Sequence, residues 1–193
     1  MNSDRLVLAA ATVRAEPRRM NGADCAPGCA PAAAPVSREA FRDGMARLAA
    51  AVNIITSAGP DGWCGFTASA VCSVTDSPPT LLVCINKTSR SHPTICASKV
   101  LAVNTVAGPH QELSMRFSGA GEMAGRFAGA DWTTAVTGAP LLAGATVSFD
   151  CRVVRVAEIG THDVFFCEVL AVQHGAESEG LVYFARRFHR VVS

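Results

Sequence analysis

The sequence predicts a mainly β protein with a few helices, built from short antiparallel strands that form a barrel or a sandwich. Short apolar segments recur along the chain, and residues typical of turns separate them, as at 58–62 and 160–163. Residues 147–153 alternate apolar and polar side chains, as a half-solvated antiparallel strand does. Helical periodicity is confined to a few short stretches, which argues against the β-α-β alternation of a parallel sheet.

Length and composition fit one domain with a single core. The chain has 193 residues, of which 49% are apolar and 17% are charged. Extra buried surface, such as a dimer interface, would explain the high apolar share. The net charge of +1 gives no field that attracts nucleic acid or an anionic membrane. No apolar run approaches the roughly 18 residues that span a bilayer, so we expect neither partner.

The eight cysteines are expected to be reduced core residues, which favours a cytoplasmic location. Most lie in apolar runs, as Cys84 does between Val83 and Ile85. Cys25 and Cys29 have C-x3-C spacing, but no other cysteine or histidine follows until Cys64. The sequence therefore predicts no metal site.

Residues 1–35 are expected to form a disordered extension, and residues 36–193 the folded domain. The extension is rich in Ala, Pro and Arg, a composition that cannot build a core. A signal or transit peptide is the alternative, because residues 6–11 are apolar; that run is short, however, and Asp4 precedes it.

The folded part is expected to begin with a helix capped by Ser37, in which Phe41, Met45, Leu48 and Val52 form one buried face. The turn at 58–62 should join a strand at 52–57 to the next segment as a hairpin. The remaining predicted strands are 80–85, 100–106, 147–153, 164–172 and 181–184, with short helices at 91–98 and 111–117.

Two polar segments suggest a ligand with a flat ring and a phosphate. Residues 65–74 place Gly, Ala and Ser where an interior strand would carry bulky side chains, which lets a flat group lie against the backbone. Residues 86–93 combine hydroxyls, amides and two cations, a set suited to a phosphate. A flavin nucleotide has both parts. Ordinary strands joined by a polar turn are the alternative on composition alone, because Ser and Gly are common turn residues.

Other catalytic motifs are absent or lack their structural context. Residues 119–124 match G-x-G-x-x-A, but no buried strand precedes them and no acidic residue follows about 20 positions later. The chain has no nucleophile elbow, zinc-protease or Walker motif, and no suggestive pair of carboxylates. This favours a reaction in which a bound cofactor supplies the reactive atoms, so no catalytic side chain is predicted.

The stretch 65–86 resembles the short-chain flavin reductases that serve two-component monooxygenases. The likeness continues in shorter stretches and spans roughly residues 38–190. Within that family the chain is most similar to the NADH-dependent FMN reductases of the pyrimidine-utilisation pathway. The shorter matching stretches are 103–105, 126–127, 137–141, 149–152, 160–163 and 181–184.

The resemblance implies a split antiparallel β-barrel of the Greek-key type, assembled as a homodimer that holds the flavin near its interface. One set of residues would border the isoalloxazine ring, namely Thr67, Ala68, Ser69 and Ala70, with Cys84 and Asn86 at the neighbouring strand end. Ser89 and Ser91, with backbone amides at the start of a helix, would hold the phosphate, and Lys87 and Arg90 would add positive charge.

The nicotinamide is expected beside His162, because the resemblance places a histidine there and imidazole is a natural contact for a carboxamide. Phe184, Arg187 and Phe188 match a C-terminal segment of the same site. Relatives usually carry a tyrosine where this chain has Phe188, so a hydroxyl contact is missing there.

The resemblance implies hydride transfer from NADH to FMN, after which reduced flavin leaves for a partner monooxygenase. FAD in place of FMN and NADPH in place of NADH stay open. Two other functions also stay open: a flavin-binding module that stores or senses flavin without nicotinamide turnover, and a flavin-dependent reductase of another acceptor, such as a cobalt corrinoid.

Overall fold

A computed structural model of the chain describes residues 34–176 and 179–192, and it is mainly β with a few helices, as predicted. The expectation for residues 1–35 falls outside this part, apart from residues 34 and 35. The helices are α1 (Arg38–Met45), α2 (His92–Ser98), α3 (Gln111–Ser118) and α4 (Met123–Arg126), with a 3-10 turn at Gly108–His110.

The strands pair in antiparallel sheets. The strands are β1 (Ala50–Ala51), β2 (Asn53–Gly59), β3 (Gly62–Ala68), β4 (Val71–Asp76), β5 (Pro79–Asn86), β6 (Val100–Thr105), β7 (Trp132–Thr133), β8 (Leu141–Leu142), β9 (Val147–Ile159), β10 (His162–His174), β11 (Gly180–Phe184) and β12 (Arg187–Val191). The main sheet has the order β3-β2-β6-β9-β10-β5-β4, and two smaller sheets have the orders β1-β11-β12 and β7-β8.

Alternation along the strands decides which side chains enter the core. On β5, Leu81, Val83 and Ile85 are buried, whereas Leu82 and Cys84 between them are only partly covered. The buried set packs with Ile95 of α2 and Phe165 of β10 in one cluster. A second cluster lies under α3, whose Leu113 and Phe117 are buried as the helical spacing predicts.

The predicted hairpin is confirmed, because β2 pairs antiparallel with β3, but residues 65–74 do not form one continuous strand. The chain leaves β3 after Ala68 and enters β4 at Val71, and these two strands are the opposite edges of the main sheet. The carbonyl of Ala70 accepts a hydrogen bond from the amide of Cys84 at 3.0 Å. Ser69 and Ala70 therefore form the crossing between the two edge strands.

The expected buried face of the first helix is wrong. The helix begins directly after Ser37, but Phe41, Met45 and Leu48 are 59%, 48% and 61% exposed. Val52, which is buried, lies beyond the helix, next to β2. The periodicity correctly marks an apolar face, yet within the described part of the chain no element covers it.

The β11–β12 hairpin turns through two residues with positive φ, Ala185 at 50° and Arg186 at 60°. Positive φ at both turn residues suits the twist of the two strands, but it brings steric strain to any residue with a Cβ atom. Asn adopts this backbone conformation more readily than Ala does. The turn is held against α1, because the amide of Ala185 donates to the carbonyl of Ala46 at 2.7 Å and Arg186 pairs with Asp43 at 2.5 Å.

Ala185→Asn is expected to raise the free energy of unfolding by about 0.5 kcal/mol or more, since asparagine tolerates the left-handed region and position 185 is exposed. Ala185→Val should lower it, because a β-branched side chain fits that region poorly. Urea denaturation of both variants measures the difference. Shifts of the same sign in the two variants would contradict this account of the turn.

Candidate functional site

A cleft of about 920 Å³ lies between α1, the β11–β12 hairpin and the crossing from β3 to β4. Three of the predicted flavin-binding residues, Ser69, Ala70 and Cys84, line it. Sequence reasoning did not assign the others to a site; they include Arg42, Met45, Leu48, Asn53, Leu82, Tyr183 and Arg186.

The side chain of Asn53 holds the backbone beside this cleft in place. Its side chain is 3% exposed, and its Nδ2 donates to the carbonyls of Ala51 at 3.1 Å and Ala68 at 3.4 Å. Its Oδ1 accepts from the hydroxyl of Thr105 at 2.8 Å. A buried amide with both ends satisfied holds its neighbours in one arrangement. Its sequence signal was an amide at the start of β2, directly before Ile54 and Ile55.

The wall formed by Ser69, Ala70 and Cys84 carries only small, uncharged side chains. Ser69 and Ala70 are exposed and small, and no protein partner of the Ser69 hydroxyl is found among the described residues. Burial raises the pKa of the Cys84 thiol, which keeps that group neutral. Such a wall fits the face of a neutral aromatic ring, and it leaves one hydroxyl available to the ring's polar edge.

A smaller cavity of about 240 Å³ adjoins the cleft, sharing Ser69 and Tyr183 with it. Thr67, Ala68 and Phe188 also line this cavity, so the predicted nicotinamide residue Phe188 comes next to the predicted flavin residues. The Phe188 ring packs on Tyr183 with centroids 5.2 Å apart. The Thr67 hydroxyl is already used, because it donates to the carbonyl of Ser114 at 2.5 Å.

The segment after β5 folds into a tight loop whose amides bond mainly to the loop itself. The Asn86 side chain accepts from the amide and the hydroxyl of Thr88, both at 2.9 Å. The amide of Ser89 donates to the Asn86 carbonyl, and the amide of His92 to the Ser89 carbonyl. Ser89 is half-buried, whereas Ser91 is only 1% exposed and lies beneath the surface. Of the two predicted phosphate serines, Ser89 is therefore the accessible one.

Both predicted phosphate cations have protein partners in the structure. Lys87 Nζ lies 2.9 Å from Glu158 and 3.6 Å from Asp163, and the hydrogen bond with Glu158 raises the pKa of Lys87. Arg90 donates to the carbonyl of Gly121 at 2.6 Å and lines a separate cavity of about 890 Å³ beside Trp63. These two cations therefore point in different directions.

His162 is exposed at the start of β10, where it pairs in register with Asn86 of β5. Its Nδ1 lies 2.9 Å from the Thr161 hydroxyl. Phe184 and Arg187 face each other across the β11–β12 hairpin. His162, Phe184 and Arg187 are not among the residues that line the cleft. Within the described part of one chain, predicted residues come together at two places, the cleft with its adjoining cavity and the strand ends at Asn86 and His162, whereas Phe184 and Arg187 line neither cavity.

The G-x-G-x-x-A match at 119–124 follows α3 and not a strand, so its context is not that of a dinucleotide fingerprint. The cysteines of the described part are free thiols, and most are at least partly buried, whereas Cys72 is exposed. Burial raises the pKa of Cys167 to about 12. Cys25 and Cys29 fall outside the described residues. Among those residues, no helix is long and apolar enough to cross a bilayer.

Comparison with known proteins identifies the family of the chain. The family described as flavin reductase like domain matches residues 45–191. The FMN reductase (NADH) RutF of Stutzerimonas stutzeri is 60% identical over 82% of this chain and 91% of its own length.

Two solved structures extend the likeness to the fold. A Haemophilus somnus protein assigned as a flavin reductase has 44% identity and a TM-score of 0.79, over 81% of this chain and 100% of its own. A nitrilotriacetate monooxygenase component B homolog from Mycobacterium thermoresistibile has 28% identity and a TM-score of 0.74, over 80% of this chain and 86% of its own. The resemblance identified from residues 65–86 is confirmed, and the chain belongs to the flavin reductase like domain family.

Proposed function

We propose that the chain is an NADH-dependent FMN reductase that releases reduced flavin to a separate monooxygenase. The observation that carries the proposal is the wall of small, neutral side chains, Ser69, Ala70 and Cys84, on a cleft of about 920 Å³. Support comes from the relative at 60% identity, which is named FMN reductase (NADH). The monooxygenase partner is supported by the structural neighbour named as a monooxygenase component.

Bound flavin would supply the hydride acceptor for the nicotinamide, so the chain would need to supply neither an acid nor a base. Positioning is then the main task of the chain's residues. Ser69 and Ala70 would lie against the ring, and Asn53 holds the backbone before them in place through the Ala68 carbonyl. Phe188 and Tyr183 line the adjoining cavity, and His162 lies at the start of β10 as a contact for the second substrate.

The phosphate of FMN is assigned to the loop at 86–91, with Ser89 as its accessible hydroxyl. The structure carries little free positive charge in this loop, because Lys87 pairs with carboxylates and Arg90 with a carbonyl. Recognition of the phosphate would therefore depend on hydroxyl donors and on release of one of these cations from its partner.

Ser89→Asp is expected to weaken FMN binding at least about fivefold more than riboflavin binding, since a carboxylate beside the phosphate repels it in a partly desolvated site. Ser89→Ala is the matched control, which removes the hydroxyl without adding charge. Fluorescence titration with each flavin measures the two dissociation constants. Equal losses for FMN and riboflavin would place the phosphate elsewhere.

The assembly belongs to the same proposal: a homodimer of split, Greek-key antiparallel β-barrels. An exposed apolar face, formed by Phe41 and Met45 of α1 and by Leu48 just after its end, is the kind of surface that a second copy covers. That face borders the cleft, because Met45 and Leu48 also line it. The free thiols fit a reducing, cytoplasmic environment.

Initial-rate assays with NADH or NADPH, each with FMN or FAD, test the proposed function. The expected result is rapid NADH oxidation that depends on added FMN. Flavin binding without NADH oxidation would favour the storage or sensor module. NADH oxidation that requires an added cobalt corrinoid would favour a flavin-dependent reductase of that acceptor. The four combinations of nicotinamide and flavin also decide between FMN and FAD and between NADH and NADPH.

A further inference from the structure

Asp163 is a buried carboxylate that the proposed chemistry does not use. It directly follows His162, and successive residues of a strand point to opposite faces of the sheet. Asp163 is 6% exposed, whereas His162 is exposed. The carboxylate therefore lies beneath the face that carries His162, where it cannot touch a ligand in contact with that histidine.

Both oxygens of Asp163 are directed at the loop that joins β5 to α2. Oδ2 lies 2.7 Å from Nε2 of His92, and Oδ1 lies 3.6 Å from Nζ of Lys87. The backbone adds a third connection, because the amide of Lys87 donates to the carbonyl of Thr161 at 3.0 Å. Lys87 and His92 are the two ends of the segment 87–92, so both of its ends are tied to the start of β10.

His92 is held in one orientation by its surroundings. Its side chain is 16% exposed, and its ring stands edge-on to Phe165 with centroids 5.8 Å apart. The sulfur of Cys96 lies at nearly equal distances, 3.8 and 3.7 Å, from the two ring nitrogens, so it is not aligned with either N–H direction. The three residues therefore do not form a nucleophilic cysteine triad, and Asp163 is the hydrogen-bond partner of Nε2.

The position of Asp163 is unfavourable for the sheet alone. Asp163 stands directly opposite Glu158 of β9, and like charges facing each other across two strands destabilise a sheet. Lys87 approaches both carboxylates and offsets part of this repulsion. The contacts of Asp163 with His92 and Lys87 therefore explain a carboxylate at this position better than any contribution to the pairing of β9 with β10.

We propose that Asp163 and His92 form a positioning pair that fixes the 87–92 loop, so that Ser89 stays in place for the flavin phosphate while the same strand presents His162. The inference rests on the proposed function, since it takes this loop as the phosphate site. Neither residue touches the ligands; both act through the loop between them.

The test is a titration of the full chain with FMN and with riboflavin. Asp163→Asn and His92→Phe, which remove the charge or the ring nitrogens, should each raise the FMN dissociation constant about tenfold, the scale of one charge-assisted hydrogen bond. The riboflavin constant should stay within about twofold of the parent's. His92→Gln keeps a donor near the position of Nε2 and should retain most of the FMN affinity. The double variant should lose little more than either single one, because both remove the same contact.

Glu168→Gln is the matched control, since Glu168 is also a carboxylate of β10 but pairs with Arg152 at 2.6 Å and not with Lys87 or His92. It should change neither dissociation constant by more than about twofold. Equal losses for FMN and riboflavin in Asp163→Asn, or equal behaviour of His92→Gln and His92→Phe, would overturn the proposal. If the parent chain bound FMN but did not oxidise NADH, the proposed function would fail, while these titrations would still decide the role of the pair.

Discussion

Ala70→Phe is expected to reduce flavin affinity about 100-fold or more. Ala70 is exposed on the wall of the cleft, and its carbonyl is fixed by the amide of Cys84, so the backbone cannot withdraw to make room. A phenyl ring at this position occupies the space expected for the flavin ring, and overlap of that kind cannot be relieved by small shifts. Fluorescence titration with FMN and riboflavin measures the loss, which should be similar for both because the ring is excluded.

Ala97→Phe is the matched control, because Ala97 is exposed on α2 and lines none of the cavities described above. It should leave both affinities unchanged. The thermal unfolding temperature of Ala70→Phe should stay near that of the parent, since the new side chain is exposed. Normal flavin binding by Ala70→Phe would show that the ring does not lie on the wall of Ser69, Ala70 and Cys84.

His162→Ala is expected to lower kcat/KM for NADH by about 10- to 100-fold, the scale of one or two lost contacts. The side chain is exposed at the end of β10, next to Asn86, where it can reach a second ligand without touching the buried edge of the flavin. The flavin dissociation constant should change little. Steady-state kinetics at saturating FMN, together with flavin titration, separate the two effects.

His174→Ala is the matched control for this experiment, because His174 is an exposed histidine at the opposite end of the same strand. It should leave the NADH kinetics unchanged. If His162→Ala weakened FMN binding and left NADH kinetics intact, His162 would belong to the flavin site. The nicotinamide would then have to be sought near Phe188 and Tyr183, where the smaller cavity lies.

Local sequence patterns predicted the elements whose own side chains alternate regularly between buried and exposed positions. The alternation of β5 and the spacing of Leu113 and Phe117 are visible in a few residues, because each buried side chain repeats with the period of its element. β9 was predicted only to residue 153, since a register shift opposite Phe166 and Cys167 interrupts the alternation beyond that point. β12 was missed because its residues are mostly polar and it is defined by pairing with β11.

The parts of the site that could not be predicted depend on partners distant in sequence. Lys87 appeared to be a free cation for a phosphate, but its partner Glu158 lies 71 residues further along the chain. Arg90 is likewise bound by Gly121, 31 residues away. The apolar face of α1 was recognised from its periodicity, yet periodicity cannot tell whether a face is covered by the same chain or by another.

Tyr183 lines both the cleft and the smaller cavity, and it is the one tyrosine in the whole sequence. Uniform labelling with fluorotyrosine would therefore give a single fluorine resonance in an NMR spectrum, placed where two ligand sites meet. Its chemical shift would respond separately to flavin and to NADH, without any substitution in the chain. The cleft in which the reaction is proposed to occur thus contains one natural residue whose fluorine signal reports on both ligands.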